Sequence, residues 1–249
     1  MIDGPRRERP ERGAEPVTSL LHLDSSHSRD SVSRHLTGLF AREWRRLHPD
    51  GGYRYRNLAT EPVPMITSKY CSFAQRVERY GALPPAAVAS LAEDPSEEWE
   101  WELTFPLADE VLHASTVLIG VPMYNFTVPA SLKAWIDRIT FPGVFKDPDS
   151  GSSLLQGTKV VVVTARGGAY GPGTPKEAYD FQTPYLRSYF EGLGIADRDL
   201  HFVHAEMTRA ADVPELARFQ DLAARSLTEA ETALTALPLR LAGYETVSH

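Results

Sequence analysis

Two short runs constrain this chain more than anything else in it. Thr116–Val121 and Lys159–Thr164, the latter reading KVVVVT, are β-branched and almost wholly apolar, without polar alternation. A strand with one face in water alternates apolar and polar side chains. A strand that is apolar throughout needs cover on both faces, as in the centre of a parallel sheet. Val17–Leu23 is a third compact apolar run, Tyr53–Leu58 a weaker alternating one, and Leu200–Ala205 (LHFVHA) a fifth. Helical patterns lie between them. Beyond Asp30, Val32, Leu36, Leu39, Phe40 and Leu47 share one helical face, with Arg34, Arg42 and Arg45 off it. Asp30 or Ser31 is suited to cap that helix. In Ser131–Ile139, Leu132, Trp135, Ile136 and Ile139 recur at helical spacing, and Pro184–Leu193 and Pro214–Leu237 supply two more helices. This alternation predicts an α/β fold: a doubly wound five-stranded parallel sheet with helices on both faces. Residues 1–15, polar and charged with Gly4, Pro5, Pro10 and Gly13, read as a disordered arm ahead of one domain over 16–249. Thr67–Pro106, interrupted by Pro84, Pro85 and Pro95, predicts irregular helices beside the sheet edge.

Composition excludes several classes. A formal net charge of -7 argues against binding nucleic acid through bulk electrostatics. No apolar stretch approaches the roughly 20 residues of a membrane-spanning helix. The arginine-rich start lacks an apolar segment behind it, so no signal peptide is expected. The single cysteine, Cys71, cannot form an intramolecular disulfide, which fits a reducing cytoplasm, and no histidine beside it suggests a nucleophile. His201 and His204 fall at i, i+3 of a strand and face opposite ways, a poor metal geometry. No HExxH, CxxC or G-x-S-x-G pattern occurs, so neither a metal site nor a serine hydrolase is expected.

In open α/β sheets ligands bind at the carboxyl ends of the strands, and three segments fall there. Asp24–Ser33 (DSSHSRDSVS) crowds serines into a turn and helix start, where hydroxyls, free N–H groups and the helix dipole favour an anion. Lacking the glycine spacing of a P-loop or dinucleotide fingerprint, it suits a monophosphate; the plainer alternative is a serine turn with an ordinary cap. Val121–Pro129 (VPMYNFTVP) sets two aromatics and an amide between two prolines, as a flat heteroaromatic ligand requires, unless Tyr124 and Phe126 are simply core. Thr164–Gly173 (TARGGAYGPG) carries paired glycines that let backbone approach a ligand, or merely a flexible turn; Arg166 adds charge or is a solvated loop residue.

Together Pro122-Met123-Tyr124-Asn125-Phe126, Leu132-Lys133 with Asp137, Arg166-Gly167-Gly168 and the serine loop resemble the FMN-dependent NADH-azoreductase family, kin of the flavodoxin-like NAD(P)H quinone oxidoreductases. The resemblance spans about Leu20 to Ala205 and implies a flavodoxin-like domain. It implies that Ser26, Ser31 and Ser33, with the backbone at Val32, hold the FMN phosphate. Met123, Tyr124, Asn125 and Phe126 would line the isoalloxazine, and Ala165, Arg166, Gly167 and Gly168 its pyrimidine edge. It further implies NADH or NADPH as co-substrate, a small-molecule electron acceptor such as a quinone or azo compound, ping-pong hydride transfer and a homodimer. The chemistry would rest on FMN, with Tyr124 as a possible proton donor. Two positions depart from the family: Ala165 replaces a usual Ser or Thr, and Pro142–Lys146 lacks a usual threonine before Phe145. The altered loop leaves open a specialised enzyme acting on an N–N or N–O group, and a non-catalytic electron carrier is the other alternative. Trp135, Phe141 and Phe145, gathered beside the isoalloxazine loop, are expected to form a partner surface, unless they pack under the Thr67–Pro106 segment.

Overall fold

The two all-apolar runs lie side by side in a five-stranded sheet, where each is covered from both sides. The computed structural model of the chain describes residues 18–243, so the arm assigned to residues 1–15 lies outside the described residues. The strands are β1 (Ser19–Asp24), β2 (Gly52–Asn57), β3 (Thr116–Pro122), β4 (Lys159–Ala165) and β5 (Leu200–Ala205). They pair in parallel in the order β2-β1-β3-β4-β5. Every residue of β3 is buried, as is the stretch Val160–Thr164 of β4, which accounts for their unbroken apolar sequence. The edge strand β2 is mostly exposed and correspondingly alternates. From β1 the chain winds outward to β2 and then returns to β3 on the other flank. The strand order therefore reverses between β1 and β3, the position at which open α/β sheets bind ligands.

Helices cover both faces, as the strand–helix alternation predicts. Helix α1 (Val32–Leu47) and the last helix, residues 220–241, pack Leu36, Phe40, Trp44 and Leu234 onto Leu20, Leu118, Val161 and Val163. On the opposite face Leu21, Val117, Ile119 and Val162 meet Leu107, Val111, Leu132, Trp135, Ile136 and Leu186. Fully burying one such side chain contributes about 1.5–3 kcal/mol. The register places Leu21, Val117 and Val160 in one row across the sheet, so a one-residue slip of any of these strands would turn its member of the row to the other face.

The segment 67–106 departs from the expectation of irregular helices at the sheet edge. It forms α2 (Ser68–Glu78), α3 (Pro85–Ala89) and most of α4 (Pro95–Leu112), an unbroken helix of 18 residues. The prolines were misread as breaks. Pro85 and Pro95 open their helices, where a missing N–H costs nothing, and the Asp94 carboxylate caps α4 by accepting from the N–H groups of Ser96 and Glu97. Of the prolines in this segment only Pro106 lies inside a helix. Helix α4 lies over the sheet face rather than its edge, with Leu107, Ala108 and Val111 in the main core.

A second expectation is also corrected. Trp135, Phe141 and Phe145 are buried within the chain and offer no partner surface. Phe141 packs among Tyr70, Phe73 and Trp101 at ring-centroid separations of 5.2–5.4 Å, in a satellite core that α2 and α4 build with it. The two remaining helices are α5 (Ala130–Ile139) and α6 (Gln182–Gly192), with α7 (Gln220–Leu241) after a 3-10 turn at Pro214–Phe219.

Candidate functional site

At the carboxyl end of β1 the chain turns sharply under the end of β3. Ser25 donates both its N–H (3.1 Å) and its hydroxyl (2.8 Å) to the Gly120 carbonyl. Gly120 must be glycine, since a Cβ there would collide with the Asp24 carboxylate. Asp24 is fully buried and accepts from Thr37 Oγ1 and Tyr55 Oη, each at 3.0 Å. Burial, reinforced by this carboxylate, pushes the Tyr55 hydroxyl up to about 12. Above this base Ser31 is the N-cap of α1, its hydroxyl accepting from the Arg34 N–H at 3.2 Å and lying 3.1 Å from the Ser33 hydroxyl. Ser26 is buried and its hydroxyl accepts from the Ser28 N–H. The N–H groups of Val32 and Ser33, in the first turn, have no intrahelical acceptor. Arg34 folds back over the loop and donates to the carbonyls of Ser26 (2.8 Å) and Ser28 (3.4 Å). Two adjoining recesses of about 460 and 230 Å³ share Val32 and Leu227 on the outer side of this turn.

The β3–α5 loop is a reversal. Tyr124 and Thr127 exchange backbone hydrogen bonds of 3.0 and 3.1 Å around Asn125 and Phe126, whose φ angles are +48° and +71°. Asparagine tolerates the left-handed region; a phenylalanine there is strained, a cost that recurs where a loop serves a ligand. The turn leaves Tyr124 36% and Phe126 42% exposed, so neither is core. It is tied at each end. The Met123 N–H donates to the Ala165 carbonyl (2.8 Å), the His27 N–H to the Tyr124 hydroxyl (3.2 Å) and the Phe181 N–H to the Phe126 carbonyl (3.2 Å). The Phe126 ring lies 6.3 Å from that of Tyr170 and 5.5 Å from that of Tyr179.

The glycine loop after β4 is braced from inside. Arg166 is not a solvated loop residue but is fully buried, its guanidinium facing Asp180 (3.2 Å) and Glu206 (3.4 Å) and donating to the Thr183 hydroxyl. Burial works against the Asp180 charge, but the Thr183 N–H and hydroxyl and then Arg166 hold its carboxyl below the usual range. Glu206 also accepts from the Tyr170 N–H at 2.8 Å, and the carbonyls of Arg166 and Gly168 accept from the N–H groups of Thr208 and Met207. Gly167 lies against the Arg209 side chain, which a Cβ would crowd at 3.1 Å. Beside Arg166, burial first and the guanidinium second push His204 down to about 4, and its Nδ1 lies 2.7 Å from Thr164 Oγ1.

The three loops suggested by the sequence thus meet at one end of the sheet, around the switch point. What sequence reasoning missed is the segment that fastens two of them. Gln182, fully buried, donates from Nε2 to the Pro122 carbonyl (3.2 Å), while Asp180 accepts from the N–H groups of Gln182 and Thr183 and pairs with Arg166. An aspartate two residues before a helix is a readable start signal, but with the helix begun at Pro184 it passed unseen. The residues fit a flavin mononucleotide by their chemistry: unpaired N–H groups and serines at a helix start for a phosphate, and exposed aromatics beside a backbone-lined loop for a ring.

Residues 18–225 match a family described by the flavodoxin-like fold. An FMN-dependent NADH:quinone oxidoreductase of Nocardia farcinica is 43% identical over 201 residues, covering 81% of this chain and 88% of that protein. One from Frankia casuarinae is 42% identical over 217 residues, covering 86% and 95%. Among solved structures, an FMN-dependent NADH-azoreductase from Bacillus anthracis in complex with FMN superposes with a TM-score of 0.68 at 22% identity, over 89% of this chain and 100% of that one. A second azoreductase from that species gives 0.71 at 20% identity, over 90% and 99%. At such identities the structures speak for the fold alone.

Proposed function

The chain belongs to the flavodoxin-like family that includes these FMN-dependent NADH:quinone oxidoreductases, and from that premise we propose that it reduces quinones and azo compounds with electrons from NADH or NADPH, using FMN. The observation that carries this reading is the strained Asn125–Phe126 turn at the switch point, flanked by an anion-ready helix start and a braced glycine loop. Ser26, Ser31 and Ser33 with the Val32 backbone are the residues for the phosphate, and Met123, Tyr124, Asn125 and Phe126 those for the isoalloxazine. Gly167 and Gly168 offer close backbone approach at the pyrimidine edge, where N–H groups suit negative charge. Ala165 contributes through its main chain, and Arg166 acts from beneath by holding the loop. Bound FMN supplies the hydride-transfer chemistry that no side chain here provides.

One open face serves the nicotinamide and then the acceptor, so the kinetics are ping-pong. Exposed Tyr124, Phe126, Tyr179 and Phe181 support a flat aromatic acceptor and, as apolar surface beside the site, the homodimer. The exposed lone Cys71 supports a reducing cytoplasm. Among the described residues no helix is long and apolar enough to cross a membrane.

The test is the visible spectrum of purified protein with FMN, followed anaerobically. NADH should bleach the flavin bands and a benzoquinone should restore them, with parallel double-reciprocal lines in steady state. Protein that takes up no FMN, or bound FMN that NADH leaves unbleached, would overturn the reading. Sedimentation at micromolar concentration tests the dimer, and a strict monomer that still turns over refutes it.

A further inference from the structure

The arginines that are wholly or partly shielded from solvent treat their charge in two ways. Arg56, Arg76, Arg138, Arg166 and Arg187 each pair with at least one carboxylate within 4 Å. Arg34, also partly shielded, pairs with none among the described residues. Its guanidinium donates only to the neutral carbonyls of Ser26 and Ser28, and its Nε is buried without a partner. The carboxylates on either side of the loop are not within ion-pair distance: Asp24 is engaged with Thr37 and Tyr55, and Asp30 lines the same recess as Arg34 without pairing to it.

The position compounds the cost. Arg34 is the third residue of α1, at the positive end of the helix dipole, and no acidic residue occupies that first turn. A cation there is disfavoured where an anion would be favoured. Half-desolvated, unpaired and at the wrong helix end, this charge is uncompensated in the chain alone. Arginine is also the side chain whose planar fork best matches a phosphate. We infer that Arg34 supplies the counter-charge for a phosphate monoester dianion held at the start of α1, that of FMN. This rests on the FMN reading above and adds to it a residue outside the serine set. The ties to Ser26 and Ser28 hold the guanidinium ready over the loop, so little rotamer entropy remains to be lost on binding.

The same phosphate chemistry occurs on NADPH, so the test separates the two sources. FMN and riboflavin are titrated into flavin-free full-length protein by quenching of flavin fluorescence. Native protein should bind FMN more tightly than riboflavin. Arg34→Gln should weaken FMN by about 10- to 100-fold, the scale of one to two charge-assisted hydrogen bonds, and leave riboflavin within about twofold. Arg34→Lys, which keeps the charge without the fork, should retain most of the FMN preference, and it carries the test if Arg34→Gln does not fold. The kcat/KM ratio of NADPH to NADH should stay unchanged in either variant. Equal weakening of FMN and riboflavin would make Arg34 a purely structural residue of the loop and overturn the inference. So would an Arg34→Gln variant with native FMN affinity, or an Arg34→Lys variant that loses the whole preference. A fall in the NADPH ratio with FMN unaffected would reassign the charge to the co-substrate. Native protein that binds neither flavin refutes the FMN reading itself.

Discussion

Arg34, in the first turn of the helix that follows β1, and Arg166, directly after β4, belong to loops built on opposite plans. The glycine loop pairs its charge: Arg166 faces two carboxylates, Tyr170 and Met207 donate inward, and Gln182 and Thr183 tie it to the neighbouring turn, although Arg166 Nε itself has no partner. The serine loop leaves its charge open: Arg34 donates only to neutral carbonyls, and the first N–H groups of α1 have no intrahelical acceptor. A charge paired within the chain makes a rigid wall whose loss is felt as stability. An open one makes a receptor whose loss is felt as affinity. Side-chain removal in the two loops should therefore show up in different measurements.

The largest effect should come from Arg166→Ala, which strands Asp180 and Glu206 with little solvent. Removing one partner of a buried pair costs about 3–5 kcal/mol, and since both acids keep some exposure the lower end applies. Urea unfolding of the FMN-free protein measures it; a loss under 1 kcal/mol would end the claim that this loop is internally braced.

His204 gives the same region a pH dependence. Its folded value of about 4 lies below the ordinary 6.5, so the folded state binds fewer protons between those values. The contribution is complete above about pH 6.5 and lost as pH falls toward 4, amounting to about 3 kcal/mol over the window. His201, shifted in the same direction by burial, adds to it. Unfolding free energies of native protein and His204→Gln, compared at pH 7 and 4.5, should converge toward the acid end. Parallel curves would mean that the imidazole is not held neutral.

For the serine loop, Ser31→Ala with Ser33→Ala should weaken FMN by about 1.5–3 kcal/mol. Loss of the Ser31 cap should cost only about 1 kcal/mol of stability. A stability loss larger than the affinity loss would erase the contrast between the loops. The smallest effect is expected from Tyr124→Phe. Its hydroxyl accepts only from the exposed His27 N–H, so stability should change by less than about 0.5 kcal/mol. Turnover of NADH and quinone should stay within twofold, whereas a tenfold fall in kcat would make Tyr124 the proton donor.

The strands and their order of burial were legible in the chain because an unbroken apolar run such as KVVVVT is a local property, dictated by cover on both faces. The strand-end loops were legible too, since serine-rich, aromatic-amide and paired-glycine segments carry their chemistry within a few residues. Misreadings arose where one residue type has two local meanings: Pro95 opens α4 because Asp94 caps it, although a proline in mid-segment reads equally as a break. Only the tertiary structure decided what depends on distant partners. Phe141 became core because α2 and α4 close over it, Arg166 became a strut because Asp180 and Glu206 converge on it, and Arg34 stood out because no carboxylate does. Periodicity records which face of an element is covered, but a charge is paired or left open by whatever the fold brings within about 4 Å, and no spacing along the chain encodes that.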